Sequence, residues 1–323
     1  MRNDELLVNR RSGFTIVELL TVMAVIAILI GLLVPALNLV KDYAKEIQQK
    51  AQFHAIGVGV ELFKSEFGMY PPSNDNVDLY DGNKDYPDSA SAQPYGGAHK
   101  LAEAIVGWDL LGFHPKADFR SDGYNDVNND GTDELVYDPV NGINVVGYTE
   151  TAEENIQARV DPLVELENAN AYRMTDIYGL ANIGGFDPDY DNFVLCDVFS
   201  KKRTSGRKTG MPILYYRART QYTLQDYTNP AGGGALGEIA DDIYYYADNQ
   251  NLLELGSAED STVFHPLADG TDDWEDFEDV ILNKQVIDIK RPYRAGSYIL
   301  ISAGPDGLYG NADDICNFTR EEQ

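Results

Sequence analysis

From Leu19 to Val40 the chain carries no charged residue. A bilayer-spanning helix takes about 20 apolar residues, so this run is long enough to cross a membrane. It begins directly after one carboxylate, Glu18, within "RRSGFTIVELLTVMAVIAILIGLLVPALNLV". An acid at the edge of a spanning segment is costly unless something pairs with it or neutralises it. The leader Met1–Gly13 is short and polar and ends Arg10-Arg11-Ser12-Gly13. A secretory signal would place a small-residue cleavage site after its apolar region. Here "KDYAKEIQQK", a charged helical stretch, follows Val40 instead. Arg10 and Arg11 precede the run, which keeps the leader cytoplasmic and sends the bulk of the chain across.

These residues resemble the leader of type IV pilins and type II secretion pseudopilins. The resemblance implies cleavage after Gly13 by a prepilin peptidase, which also N-methylates the new N-terminus, Phe14. The family's glutamate at the fifth mature position falls on Glu18, and its helix-loosening proline at the twenty-second on Pro35. In the family that glutamate pairs with the terminal amine of a neighbouring subunit. Glu18 is then costly in a lone subunit and satisfied in an assembly.

Beyond the run, Ala44, Ile47, Ala51, Ala55, Val58 and Leu62 recur at steps of three and four, one apolar face of an amphipathic helix. Pro71 and Pro72 in "GMYPPSN" stop it. The spacing predicts a helix from Phe14 to about Phe67, roughly 80 Å long at 1.5 Å per residue. Pro35 removes one backbone hydrogen bond and lets the helix bend there. "ELFKSEFGMYPPS" resembles the end of the stalk in major, G-type pseudopilins.

A second helix is expected in Gly96–Phe113, with Leu101, Ala104, Ile105, Trp108 and Leu111 on one face. Three strand-like runs follow: "NFVLCDVFS" (192–200), "MPILYYRAR" (211–219) and "GSYILISAG" (296–304). "KKRTSGRKTG" between the first two reads as a hairpin loop. Its five basic residues suit either a solvated turn or docking on an acidic neighbour. Residues 114–190 read as loops with short elements, and 220–291 as a Gly-rich acidic insertion.

Two acidic loops are candidate Ca²⁺ sites, because a hard cation takes six to eight oxygens from carboxylates and carbonyls. In "SAGPDGLYGNADDICNF", Asp306, Asp313 and Asp314 are separated by glycines that allow the loop to fold back. The stretch resembles the calcium loop of major pseudopilins, and that resemblance implies the ligand role for these three acids. In "DVNNDGTDELVYD", Asp126, Asn128, Asp130 and Gly131 match the first half of a D-x-[DN]-x-[DN]-G loop, with Thr132 and Glu134 next. Position twelve is Tyr137 rather than Glu, so an EF-hand is not expected; the choice over 126–134 is between a Ca²⁺-stabilised loop and a hydrophilic Asx-turn loop.

The formal charge of -28, from 53 acidic and 25 basic residues, excludes a phosphate-binding nucleic-acid surface, which needs clustered Lys and Arg. It suits a solvated extracytoplasmic surface. Cys196 and Cys316 are either a disulfide, which an extracytoplasmic location permits, or two buried free thiols. His54, His99, His114 and His265 are scattered. No His-Glu-x-x-His, Cys-x-x-Cys, phosphate loop or Gly-x-Ser-x-Gly is present, so no enzyme is expected.

The expected architecture is α+β and type IV pilin-like: leader 1–13, transmembrane and stalk helix 14–67, and a head 68–323 built on an antiparallel sheet. The expected role is a pseudopilin of a type II secretion-like system, assembled through its helix with like and unlike pilin-type subunits. The resemblance further implies a peptidase/methyltransferase and an inner-membrane assembly platform as partners. It implies residence in the bacterial inner membrane and then in a periplasmic or cell-surface filament. The alternatives are a surface type IV pilus subunit, which a Cys196–Cys316 bridge favours, and a membrane-anchored binding protein or enzyme.

Overall fold

The computed structural model describes residues 14–73, 95–183, 191–223, 225, 242–270, 273–286 and 288–320. Two compact units divide between Glu46 and Ile47, inside the first helix.

That helix, α1 (Ile16–Phe67), is assigned continuously through Pro35. Up to Ala44, every described side chain on it is exposed. Leu20, Met23, Ile28, Leu32 and Leu39 are among the large apolar ones. Among the described residues, α1 is the one helix long and apolar enough to span a bilayer. It ends as expected: Gly68 takes up φ 78 and its N–H reaches the Lys64 carbonyl at 2.8 Å, ahead of the two prolines.

Within the second unit, the rest of α1 is one-sided, but not on the face the spacing predicted: Ala44, Ile47, Ala51, Val58 and Leu62 are exposed and Ala55 is half-buried. Phe53, Ile56, Val60 and Phe63 are buried. Helix α2 (Gly97–Val106) lies beside it, and both pack on a sheet. The expected second helix is shorter than its apolar pattern. Gly107, at φ 85, closes α2, and Leu111 is left 49% exposed. A glycine free to take positive φ outweighs the apolar periodicity beyond it.

Residues 114–183 hold short elements, as expected. β1 (Tyr124–Asn125) pairs with β2 (Glu134–Leu135), and β3 (Ile143–Val145) with β4 (Tyr148–Glu150). Helix α3 (Ala152–Ala158) opens with a Thr151–Glu154 capping box. Helix α4 (Leu166–Ala169), strand β5 (Ala171–Arg173) and helix α5 (Met174–Tyr178) follow.

The three expected strand runs contain β6 (Phe193–Leu195), β9 (Leu214–Arg217) and β10 (Tyr298–Ser302), and the expected hairpin is β7 (Lys201–Lys202) with β8 (Lys208–Thr209). Strand β10 lies between β9 and β11 (Ile315–Cys316), antiparallel to both. The Cys196↔Pro212 bridge joins this sheet to the β5–β6 pair. The order is therefore β11-β10-β9-β6-β5, antiparallel throughout.

Alternation along the strands separates two cores. Leu195, Ile213, Tyr215, Tyr298 and Leu300 face α1 and α2. Val194, Cys196, Leu214, Tyr216, Ile299 and Ile301 face α5, α6 (Gln250–Leu253) and α7 (Asp273–Ile281). Buried amides pin α1 to the β6 end: Gln49 Oε1 accepts the Val198 N–H at 2.9 Å, and Gln52 Nε2 donates to the Cys196 carbonyl at 2.8 Å. Gly97 sits where any Cβ would lie 2.0 Å from the Tyr215 carbonyl oxygen, so α2 meets β9 through a bare backbone.

Candidate functional site

The start of α1 is a capping box. Thr15 donates its N–H (2.8 Å) and its hydroxyl (2.9 Å) to Glu18 Oε2, and its hydroxyl oxygen accepts the Glu18 N–H at 3.2 Å. The acid thus has a local use, satisfying donors that a helix N-terminus leaves unpaired. The Thr-x-x-Glu spacing was the sequence signal for it. Phe14, just before, is 82% exposed. Gly13 and the rest of the leader lie outside the described residues. Pro35 holds helical backbone.

The C-terminal loop does not gather its three acids at one point, contrary to expectation. Among the described residues, no three His, Cys, Asp or Glu side chains come together as a metal-holding group. Each acid has donors of its own. Asp306 accepts the Leu308 N–H (2.8 Å) and the Asn311 amide (2.6 Å). Asp313 accepts the Asp306 N–H at 3.2 Å. Asp314 accepts the Gly310 N–H at 2.8 Å and lies 3.7 Å from Arg320. Its other oxygen, Oδ1, is buried without a hydrogen bond, and burial pushes the carboxyl up to about 8. The orphaned Asp314 oxygen is the donor type a hard cation takes, and Asp306 and Asp313 lie in the same loop without converging on it.

The loop at 126–134 is wound on itself. Asp126 accepts the N–H groups of Asp130 (3.0 Å) and Gly131 (2.8 Å), and Asn128 Nδ2 donates to Asp130 at 2.9 Å. Asp126, Asn128 and Asp130 thus make an Asx-type turn between β1 and β2.

Cys196 and Cys316 are free thiols, so the bridge left open by the sequence is not formed. Cys316 pairs with Ile301, Ile301 with Leu214, and Cys196 with Pro212. Two strands stand between the thiols. Three steps of about 4.8 Å put their backbones about 14 Å apart, where a disulfide permits roughly 7 Å.

The histidines do not converge. His99 and His265 are buried, and burial pulls them down to about 3 and about 4. His114 Nε2 lies 3.2 Å from Glu150 Oε2 in the interior. Local pattern gave no sign of one further group: buried Glu103 accepts the hydroxyls of Tyr95 (2.8 Å) and Tyr137 (2.9 Å).

Residues 8–34 match the family signature described as the prokaryotic N-terminal methylation motif. It spans the end of the leader, the Gly13–Phe14 junction, Glu18 and most of the apolar run, and leaves the second unit outside. No curated protein and no solved structure matches the chain.

Proposed function

From a prepilin-like leader and a long apolar N-terminal helix of the type IV pilin kind, we propose that this protein is a filament subunit, a pseudopilin of a type II secretion-like system. Chains with such a leader are generally structural subunits, processed by a prepilin peptidase and assembled with other pilin-like subunits. The observation that carries the reading is the register at the helix start. Glu18 caps α1 four positions after Phe14, and the large apolar side chains described after it, from Leu19 to Val40, are exposed. Exposed apolar surface on this scale demands lipid or another subunit. Cleavage at Gly13 frees an amine on Phe14, and a neighbour's amine gives Glu18 the charge partner that Thr15 does not. The apolar stalk then packs against its neighbours in a heterologous, open-ended contact.

The resemblance of the C-terminal loop to the secretion class favours the pseudopilus over the surface pilus. The separation of Cys196 from Cys316 points the same way, since it removes the bridge that favours the pilus reading. The same loop is the proposed Ca²⁺ site, with Asp306, Asp313 and Asp314 as carboxylate ligands and backbone carbonyls completing the shell.

The test is mass spectrometry of the N-terminal peptide from the native membrane. The expected peptide begins at N-methylated Phe14. A chain still beginning at Met1 sinks the filament reading and brings the membrane-anchored binding protein or enzyme forward. Imaging of the processed chain then separates a short periplasmic pseudopilus from a surface pilus.

A further inference from the structure

The β7–β8 hairpin carries five basic residues, and three of them are used inside the second unit. Lys201 meets Glu259 at 3.1 Å and donates to the Asp306 carbonyl at 3.0 Å. Arg203 is buried, with Nε on the Thr209 carbonyl (2.9 Å) and Nη1 on Glu259 (3.3 Å). Arg207 pairs with Asp176 at 2.6 Å. The turn is held as well: the Thr204 hydroxyl donates to the carbonyls of Tyr178 and Ala258, both at 3.0 Å, and the Ser205 hydroxyl to that of Asp176. The hairpin is therefore a fixed projection.

Lys202 and Lys208 remain. They lie directly opposite each other in the ladder, so both side chains leave on one face, about 5 Å apart at Cβ. Both are exposed, and among the described residues neither meets an acid. Like charges opposed across a ladder destabilise it.

Helix α7 carries the complementary pair. Glu275 and Asp279 are exposed, four residues apart on one helix face, and among the described residues meet no basic group. Their Cβ spacing is about 5–6 Å, and like charges at this spacing also oppose the helix. Within one copy the two pairs sit toward different ends of β9. The hairpin leads into Met211, whereas α7 packs Phe277 on Tyr216, ring centres 4.7 Å apart. Five residues of extended chain separate those ends by roughly 17 Å.

We propose that Lys202 and Lys208 of one copy dock on the Glu275–Asp279 face of α7 in a second copy. The two surfaces differ, so the contact is heterologous and can repeat from copy to copy along an open filament. It rests on the filament reading for its repetition. It relieves both like-charge pairs at once, and its strength falls with added salt.

The test uses the full chain in its native membrane. Lys202→Glu with Lys208→Glu lowers filament yield about tenfold, as two ion pairs become repulsions. Glu275→Lys with Asp279→Lys does the same, and combining all four substitutions restores assembly. In otherwise unaltered chains, Lys208→Cys in one copy cross-links to Asp279→Cys in another. A chain methylated at Phe14 that assembles normally with the lysines reversed, and shows no cross-link, overturns the docking and leaves the filament reading standing. A chain never cut at Gly13 overturns the filament reading, and the docking then stands or falls on the Lys208–Asp279 cross-link. Loss of assembly that the α7 reversal does not rescue, with lysine-dependent binding to phosphatidylglycerol vesicles, overturns it in favour of a lipid surface.

Discussion

Glu103 and Tyr137 share a 2.9 Å hydrogen bond across 34 residues of sequence, deep in the interior. Burial, opposed by the Tyr95 and Tyr137 hydroxyls, raises the Glu103 carboxyl from 4.5 to about 7. Below about pH 4.5 the folded and unfolded chains both hold the proton. Between 4.5 and 7 the unfolded chain releases it and the folded one keeps it, so stability falls as pH rises through that window. The full effect is on the order of 3 kcal/mol. Glu103→Gln removes this titration while keeping an oxygen that can accept from a tyrosine. Asp314, His99 and His265 titrate alike in both chains, so the expected readout is a difference: from pH 5 to 8 the melting temperature of the detergent-solubilised wild type falls relative to that of Glu103→Gln. Equal slopes would rule out the assignment.

Glu18 serves two purposes that substitution can separate. Glu18→Gln keeps a side-chain oxygen for the Thr15 N–H and hydroxyl but loses the charge for a neighbour's amine. Glu18→Ala loses both, and loss of a cap costs about 1 kcal/mol. Both variants are expected to insert in the membrane and to be cut at Gly13, and both to assemble poorly. Normal filament yield from Glu18→Gln counts against the amine pairing; it leaves the cap untouched.

Gly97 and Gly31 make a matched pair of controls. A Cβ on Gly97 meets the Tyr215 carbonyl at 2.0 Å, whereas one on Gly31 has nothing within 4 Å. Gly97→Ala is expected to destabilise the second unit by roughly 2–3 kcal/mol, the upper range for forced overpacking. Gly31→Ala is expected to leave its melting temperature unchanged. A Gly97→Ala chain that melts with the wild type means that α2 can draw back from β9 without loss.

Calcium is the fourth test. Millimolar Ca²⁺ is expected to raise the melting temperature and slow proteolysis of the C-terminal loop, with EDTA reversing both. Asp313→Ala is expected to abolish the response. A wild type indifferent to EDTA refutes the proposed site.

Much of this arrangement was legible in the sequence where one residue type decides a local matter. The uncharged run marks the exposed half of α1, and Pro71-Pro72 marks its end. β-branched and aromatic runs mark β6, β9 and β10. What escaped is long-range. Apolar spacing through Trp108 and Leu111 overran α2 because a single glycine, Gly107, decides where it stops. The Tyr95–Glu103–Tyr137 group joins residues that no local window contains. Acidic spacing at 306–314 shows which acids share a loop, but not that Leu308, Asn311, Gly310 and Arg320 already engage them. The positions of Cys196 and Cys316 depend on strand order, which no count of residues between them reveals.

The two cores differ in what they tolerate over evolutionary time. Described apolar residues of the 220–291 segment, from Ile243 to Ile281, join the cluster on the side of the sheet away from α1, and none joins the cluster that holds α1. That segment can therefore be lengthened, trimmed or exchanged between descendants without redrawing the side on which the stalk is seated. Asn249 is the toll on that freedom. Its amide holds both the Ala98 N–H and the Tyr215 carbonyl, so any replacement must hand an equivalent side chain across to the start of α2.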